Sequence, residues 1–391
     1  MPMFENIFGG KSVAQGAVIA VEPLSETINF CTFAGDQNGL QTNSANYKVR
    51  PFDQEFYDRL AKIVKLQQEK NPMMDLQKAA VILPDQLFLL DMVSVPVIHR
   101  KAMQHSLSLA IESVYKNAED LNLVTYGVQQ NKQVATFGLA GARRDLLEQV
   151  RQTLADSGVS VTGITFASNA MVNGAFALNP KLKGDTFLLL DIKENYSRFA
   201  FVVRGCTMGY YDLPFGYGML YKSRLAEEDM LFDHRAGELL VLNAKERARA
   251  KQLTMEGETP SEQAGEEGTT YQQGRDGTLR KVARKLPKFM QRPVPQSRED
   301  YVYENFRIFI KWTLDLIGNN RDIVSLAKLD TVYVNMPAEY GFLFESVNKR
   351  RASHGVTFAP LLSDGTEMTM AENLELYGGF FLGQYNEANT F

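Results

Sequence analysis

The stretch that decides the fold reads DTFLLLDIKENYSRFAFVVRG and spans residues 185–205. An apolar run over 187–190 leads into Asp191, a short polar turn follows, and a second apolar run covers 199–203. Short apolar runs on either side of a polar turn predict two neighbouring strands. A turn that binds phosphate brings bare main-chain N–H groups close to the ligand, which favours glycine. Here the turn carries Lys193 instead, so a long side chain stands where the main chain would have to be approached.

Length, composition and charge limit the class of protein. The chain has 391 residues, of which 45% are apolar, and this is enough for two or three domains. The net charge of −4 gives no electrostatic reason to expect nucleic acid as a partner. Cys31 and Cys206 lie far apart in apolar surroundings, which predicts buried thiols of a cytosolic protein rather than a disulfide. Neither a signal peptide nor an apolar run of about 18 residues is evident, so we expect a cytoplasmic protein.

Strands and helices alternate in the first half of the chain. Residues 16–33 predict two strands around a turn, an opening that the hairpin from Phe187 repeats. A helix over 56–68 with one apolar stripe follows. A compact α+β unit comes next, with predicted strands over 79–83 and 87–95, a helix with one buried face from Lys101, a hairpin of 123–128 and 134–139, a helix around 146–154 and a strand over 159–166.

Polar and charged residues dominate between about 243 and 300, which predicts a flexible insertion. Within it, residues 279–290 show an apolar side and a basic side at helical spacing, interrupted by Pro287. Three interpretations stay open for this stretch: a solvated helix that packs on the second domain, a helix on an anionic membrane surface, or a helix that meets an acidic partner. Beyond the insertion, the pattern predicts a helix over 301–317, a strand over 331–334, a helix over 341–349 and a glycine-broken helix over 374–384.

This order of elements resembles one family, the PilM-type type IV pilus assembly proteins of the actin-like superfamily, which also includes the cell-division protein FtsA. Local phrases agree, among them AVILP at 80–84, VSVP at 93–96 and GITF at 163–166. The resemblance implies an α/β, actin-like (ribonuclease H-like) two-lobed fold with an α+β subdomain inserted in the first lobe. The implied domains are 12–76 with 165–184 for the first lobe, 77–164 for the inserted subdomain, 185–242 with 301–391 for the second lobe, and 243–300 for the polar insertion.

The nucleotide-binding turns of the family are degenerate in this chain. Active relatives hold the nucleotide with three glycine-bearing turns, and each corresponding turn here has a side chain at the glycine position. The cleft positions that the resemblance implies are Glu22, Leu24 and Ser25 in the first turn, Asp191, Lys193 and Ser197 in the second, and Asn335 and Met336 in the third. We therefore expect a pseudo-ATPase with no catalytic residue and no cofactor.

Two alternatives stay open at this cleft. Glu22, Asp191 and Ser197 would be the metal and phosphate groups of an altered cleft that still binds ATP and Mg²⁺. Lys193 could also contact a phosphate as a point charge. No metal site is expected elsewhere, because the four histidines and two cysteines have no metal-type spacing.

The resemblance also implies a function and partners. PilM-like proteins take the short cytoplasmic tail of a PilN-like inner-membrane protein in a groove beside the inserted subdomain. The implied protein is a cytoplasmic scaffold, peripheral to the inner face of the membrane, that links this partner to a pilus motor ATPase or platform protein and can self-associate. The candidate groove residues are Phe88, Leu90, Met92, Val93, Val95, Met103 and Leu107. An FtsA-like filament protein and a type II secretion component remain as alternatives.

Overall fold

The structure is a computed structural model of the chain. It describes residues 16–23, 26–34, 39–49, 51–72, 74–115, 118–130, 132–213, 215–220, 269–273, 279–283, 298–320, 330–349, 355–363, 368–369 and 373–382. Within these ranges, no helix combines the length and apolar character that crossing a bilayer requires.

The secondary structure alternates strands and helices as expected. The strands are β1 (Ala17–Glu22), β2 (Thr27–Ala34), β3 (Gly39–Asn46), β4 (Lys78–Leu83), β5 (Phe88–Pro96), β6 (Leu121–Gln130), β7 (Val134–Arg143), β8 (Ser160–Phe166), β9 (Phe187–Ile192), β10 (Ser197–Val203), β11 (Cys206–Leu213), β12 (Thr269–Gln273), β13 (Leu279–Ala283), β14 (Thr331–Asn335), β15 (Thr357–Pro360), β16 (Leu362–Ser363) and β17 (Met368–Thr369). The helices are α1 (Gln54–Lys70), α2 (Arg100–Val114), α3 (Arg144–Ala155), α4 (Ala167–Leu178), α5 (Arg298–Asn319), α6 (Gly341–Asn348) and α7 (Leu374–Gly379).

Two five-stranded sheets of the same design form the two lobes. The first has the order β3-β2-β1-β4-β8 and the second the order β11-β10-β9-β14-β15. In each sheet the first three strands in sequence are antiparallel neighbours, and the later two join them in parallel. The repeated opening at β1 and β9 is therefore confirmed, as is a fold of two α/β lobes.

Helices cover both faces of the first sheet, so its central strand is apolar from Ala17 to Val21. Every residue of β1 is buried. Ile19 and Val21 face α1 and α3, while Val18 and Ala20 face α4 and α7. The predicted stripe of α1 is buried as expected, and this helix begins at Asp53, whose carboxylate accepts the N–H of Phe56 at 2.9 Å. A strand covered on both faces is hydrophobic without alternation, as β1 is.

Helix α4 is the central element between the lobes. All its residues from Ala167 to Ala177 are buried. Ala167 and Ala170 pack towards the first sheet, whereas Met171 and Phe176 pack towards β9 and β10 of the second. Small residues allow this helix to be covered on all sides, and its buried polar residues include Ser168 and Asn169, which hydrogen-bond to other side chains.

The inserted subdomain is smaller than the sequence predicted. The expected limits were 77–164, but β4 and β8 pair in the first sheet and α3 packs in the core of the first lobe. The inserted unit proper is the three-stranded antiparallel sheet β5-β7-β6 with α2 on one face. The boundary was misplaced because β4 and β8 are buried parallel strands, which look like core strands of any unit.

Three other expectations need correction. None of the residues of α2 is fully buried, so its predicted buried face is only half covered. Helix α7 packs on α4 and β1 of the first lobe rather than within the second lobe. Residues 279–283 form β13, paired with β12, instead of the start of a helix. In a short segment, the spacing of apolar residues can fit both a helix and a strand, so pairing with β12 decides that this segment is a strand. Residues 284–290 and most of 243–300 lie outside the described residues.

The two cysteines are placed as predicted. Cys31 lies on β2 of the first sheet and Cys206 on β11 of the second, and both are buried. Burial raises the pKa of the Cys31 thiol to about 12, so it stays protonated at neutral pH. A buried, protonated thiol is a structural residue rather than a reactive one.

Glycine at 378 allows α7 to touch α4, and this contact gives a stability prediction. A Cβ at Gly378 would lie 1.8 Å from the carbonyl oxygen of Ala170, whereas a Cβ at Gly318 in α5 would meet nothing within 4 Å. Gly378→Ala should lower the free energy of unfolding by about 3 kcal/mol, because backbone must move to admit the methyl group. Gly318→Ala is the control and should be neutral or stabilising by up to about 1 kcal/mol. Urea unfolding measures both, and equal stability of the two variants would contradict this packing.

Candidate functional site

The two lobes meet at the ends of their central strands. Glu22 ends β1 of the first lobe, while Asp191 and Asn335 lie at the ends of β9 and β14 of the second. The Tyr196 hydroxyl, in the turn after β9, donates to Glu22 Oε2 at 3.0 Å. The Asn335 amide donates to Asp191 Oδ1 at 2.8 Å. The structure thus brings together cleft positions from all three predicted turns at one seam, while Leu24 and Ser25 lie outside the described residues.

Lys193 joins the lobes through its ammonium group. Its Nζ donates to Glu375 Oε1 on α7 and lies 3.8 Å from Asp191 Oδ2. The same ammonium lies 5.6 Å from the centroid of the Tyr196 ring. Because α7 packs on the first lobe, the Lys193 side chain connects the second lobe to the first.

Arg198 makes a second set of bonds across the seam. Its Nε lies 2.9 Å from Asp212 Oδ1 and 3.3 Å from Asp85 Oδ2, and its Nη2 lies 3.5 Å from Glu22 Oε2. Asp212 is its neighbour on β11, in register with it, whereas Asp85 and Glu22 belong to the other side. This guanidinium is 2% exposed, so these pairs are shielded from water.

Asp85 lies where three parts of the molecule meet. It follows β4, just before the inserted unit begins, and its two carboxylate oxygens accept the N–H and the hydroxyl of Ser168, each at 2.8 Å. Ser168 is in the first turn of α4, between the lobes. Burial raises the pKa of Asp85 to about 7, against the opposing effects of Arg198 and the Ser168 bonds.

The other seam carboxylates differ in their pKa because their neighbours differ. Burial raises the pKa of Asp191 to about 6, although Lys193 and Asn335 act against it. Burial also acts to raise the pKa of Glu375, but Lys193 and Arg198 outweigh it and the pKa is lowered. Glu375 therefore holds its negative charge towards Lys193 near neutral pH, while Asp191 is only weakly acidic.

The main chain of the turn after β9 is bonded within the protein. The N–H of Lys193 donates to Tyr196 O, while Tyr217 and Gly218 donate their N–H groups to the carbonyls of Lys193 and Glu194, each bond at 2.9 Å. A Cβ at Gly216 would lie 2.2 Å from Glu194 O. Glycine at 216 thus allows close packing against the turn. A phosphate held by the N–H of Lys193 would have to replace its bond to Tyr196 O.

The remaining predicted cleft residues have structural partners. The Ser197 hydroxyl donates to the carbonyl of Phe215 at 2.5 Å. Met336 is fully buried in the core of the second lobe, so it does not crowd the seam as the sequence suggested. Among the residues that the structure describes, no group of three or more His, Cys, Asp or Glu side chains has the arrangement of a metal site.

The predicted groove residues do not form one surface. Phe88 and Leu90 pack into the core of the first lobe. Met92 packs against Val203 and Met208 of the second lobe. The others, Val93 and Val95 of β5 and Met103 and Leu107 of α2, pack against one another between the sheet and the helix. Alternation along β5 explains this result, because successive side chains point to opposite faces of the sheet.

An open cavity of about 750 Å³ lies instead at the other end of the inserted unit. It is formed by the end of α2, the start of β6 and the start of α3, so it lies at the junction with the first lobe. The lining residues are Val114, Tyr115, Glu119, Asp120, Leu121, Arg143, Arg144 and Asp145. Val114, the last residue of α2, is 55% exposed and contributes apolar surface to the cavity.

The inserted unit also contacts the second lobe. The Tyr126 hydroxyl on β6 donates to Thr207 O at 3.0 Å, and the Gln86 amide donates to Asp212 Oδ2 at 3.1 Å. A Cβ at Gly138 on β7 would lie 2.4 Å from the Tyr126 ring, so this ring lies flat on the sheet. The unit therefore contacts both lobes. Its place in the sequence between β4 and β8 indicates only the contact with the first lobe.

Similarity to solved structures agrees with the fold, whereas no family model and no curated protein matches the chain. A chain of the PilM–PilN type IV pilus biogenesis complex is 12% identical, with a TM-score of 0.51 over 94% of this chain and 96% of that one. The cytoplasmic domain of EpsL, an inner membrane component of the type II secretion system of Vibrio cholerae, is 12% identical, with a TM-score of 0.35 over 53% of this chain and 73% of that one. The ethanolamine utilization protein EutJ from Carboxydothermus hydrogenoformans is 10% identical, with a TM-score of 0.37 over 97% of this chain and 93% of that one. At these identities the first similarity establishes a shared fold.

Removing the ammonium of Lys193 tests the seam. Lys193→Met should lower the free energy of unfolding by about 3–5 kcal/mol, because Glu375 and Asp191 would stay buried without their cation. Adding Glu375→Gln should restore much of that loss, since the remaining neutral groups cost less to bury. Lys181→Met, at an exposed position, is the control and should change stability by less than about 0.5 kcal/mol. Chemical denaturation measures all three, and an additive double variant would contradict a direct Lys193–Glu375 interaction.

Proposed function

We propose that this protein is a scaffold of a type IV pilus assembly machine that binds the cytoplasmic tail of a PilN-like inner-membrane protein. The observation that carries the proposal is the two-lobed fold shared, over 94% of the chain, with a chain of a PilM–PilN complex. Through that partner the protein would be held at the inner face of the membrane. From there it would link the membrane subcomplex to a pilus motor ATPase or platform protein.

We further propose that the scaffold works without binding or hydrolysing ATP. A nucleotide between the lobes of such a fold is held by main-chain N–H groups and bridges the two halves. Here Lys193 and Arg198 supply the bridge, and the N–H of Lys193 is bonded to Tyr196. A triphosphate would have to displace Lys193 from Glu375, a buried charged pair whose separation is costly. The protein is therefore assigned a binding role, with a pseudo-ATPase cleft.

The cavity at the end of α2 is the surface that we assign to the tail. Strand β6 is the outer strand of its sheet, and its first residue, Leu121, lines the cavity. An extended peptide can add to such a strand through main-chain hydrogen bonds and place alternate side chains in a pocket. Val114 and Leu121 offer apolar contact, while Glu119 and Asp120 favour a tail that carries a basic residue.

Peptide binding tests the assignment of the cavity. Two exposed apolar residues of α2 form a matched pair: Val114 lines the cavity and is 55% exposed, whereas Leu109 is 52% exposed and is not among the lining residues. Val114→Glu should raise the Kd of the PilN-like tail peptide at least about tenfold, because a charge would be buried against an apolar side chain. Leu109→Glu should leave it unchanged. Fluorescence anisotropy measures the Kd, and Mg-ATP should not alter it.

Three outcomes would count against the proposal in different ways. If the parent protein does not bind the peptide at high micromolar concentration, the partner is wrong. If both variants bind like the parent, the cavity is not the site. If the parent binds only in the presence of Mg-ATP, the cleft is an active nucleotide site.

A further inference from the structure

We propose that the two lobes close through a proton-sensitive latch centred on Asp85. The latch is the set of seven charged residues at the seam, namely Glu22, Asp85, Asp191, Asp212, Glu375, Lys193 and Arg198. This inference is independent of the partner and of the cavity, because it rests on the composition of the seam.

The charges of the latch do not balance. Among the residues that the structure describes, five carboxylates face two cations at the seam, so full ionisation of this set would give it a net charge of −3. The carboxylate residues are 8%, 1%, 1%, 6% and 7% exposed for Glu22, Asp85, Asp191, Asp212 and Glu375. An unmatched buried charge is expensive, and a group in that position commonly takes up a proton instead. Closure of the seam is therefore expected to bind protons from the solvent.

Geometry selects Asp85 as the residue that holds a proton. The Arg198 Nε is closer to Asp212, at 2.9 Å, than to Asp85, at 3.3 Å. The groups that face Asp85 are Arg198 from β10, Asp212 and Tyr210 from β11, and Ser168 from α4. Asp212 repels a charge on Asp85, and the hydroxyl of Ser168 can donate to a carboxylate or accept from a carboxylic acid. Asp85 is thus bonded in both protonation states.

Asp191 is a second site for a proton. It faces Lys193 and Glu375 and accepts the amide of Asn335. Lys193 is in contact with Glu375 and only 3.8 Å from Asp191, so Glu375 takes most of the cation's stabilisation. The raised pKa values of Asp85 and Asp191, about 7 and about 6, agree with this order.

The sign of the pH dependence follows from these groups. A carboxyl whose pKa is raised in the folded protein stabilises it fully below the pKa of the unfolded chain, and this contribution is lost as pH rises through the folded value. For Asp85 this contribution declines between about pH 4, near the pKa of the unfolded chain, and about pH 7, its pKa in the folded protein, and is lost above that. Glu375, whose pKa is lowered, acts in the opposite direction at acid pH. Seam stability should therefore decline from mildly acidic to neutral conditions and level off above about pH 7.

Unfolding experiments across this pH range test the latch. Between about pH 5 and about pH 7, the unfolding equilibrium constant of the parent protein should rise by up to about tenfold per pH unit for each extra proton that the folded protein holds. Asp85→Asn should remove most of this slope, because an amide does not titrate. Asp145→Asn is the control, since its exposed carboxylate pairs with the exposed Arg143, accepts the N–H of Leu146 and is not one of the seven latch residues. It should keep the slope of the parent.

A second measurement uses the parent protein alone, so it holds even if Asp85→Asn does not fold. Infrared difference spectra of the parent protein should contain the band of a protonated carboxylic acid at about pH 6 that disappears by about pH 8.5. Equal slopes in the parent and in Asp85→Asn would overturn the proposal. Stability that rises over this range, or the absence of the acid band at the lower pH, would overturn it as well.

Discussion

The contact between the Lys193 ammonium and the Glu375 carboxylate is the interaction on which the arrangement of the lobes depends. It joins a turn of the second lobe to the last described helix, which packs on the first lobe. Arg198 repeats the same connection to Asp85 and Glu22. Charged groups buried at a domain boundary are costly unless paired, so each cation fixes the position of the lobe opposite it. Fixed protein charges thus bridge the two lobes.

This constraint extends to the inserted unit. Asp85 precedes the unit, Gln86 reaches Asp212, and Tyr126 reaches the carbonyl of Thr207. The unit is therefore positioned by the second lobe as well as by the first. Its open cavity lies at the end of the three strands where β5 begins, because Phe88 pairs with Ala142 next to Arg143. The protein therefore presents this surface close to the contacts that hold the unit on the second lobe. A binding role fits such a rigid arrangement, because preorganised surfaces lose less entropy on association.

The fold was largely predictable because its signals are local, whereas the seam was not. Apolar runs around a turn identified β9 and β10, and helical spacing identified α1. Arg198 is the one charged residue in an otherwise apolar strand, a local signal that the sequence analysis did not use. Glu375 and Asp85 gave no comparable signal, because their partners are distant in sequence. Met336 shows the reverse error. It stands where the resemblance implies a glycine and was therefore assigned to the cleft, although its side chain packs in the core of the second lobe.

Hydrogen exchange at the turn after β9 tests the central claim most directly. The amides of Lys193, Tyr217 and Gly218 donate within the protein, so they should exchange slowly in the absence of nucleotide, as bonded amides in a stable region do. Saturating Mg-ATP should leave those rates unchanged. Fast exchange of these amides without nucleotide, followed by protection when Mg-ATP is added, would show that the seam is an open nucleotide site and would contradict the account.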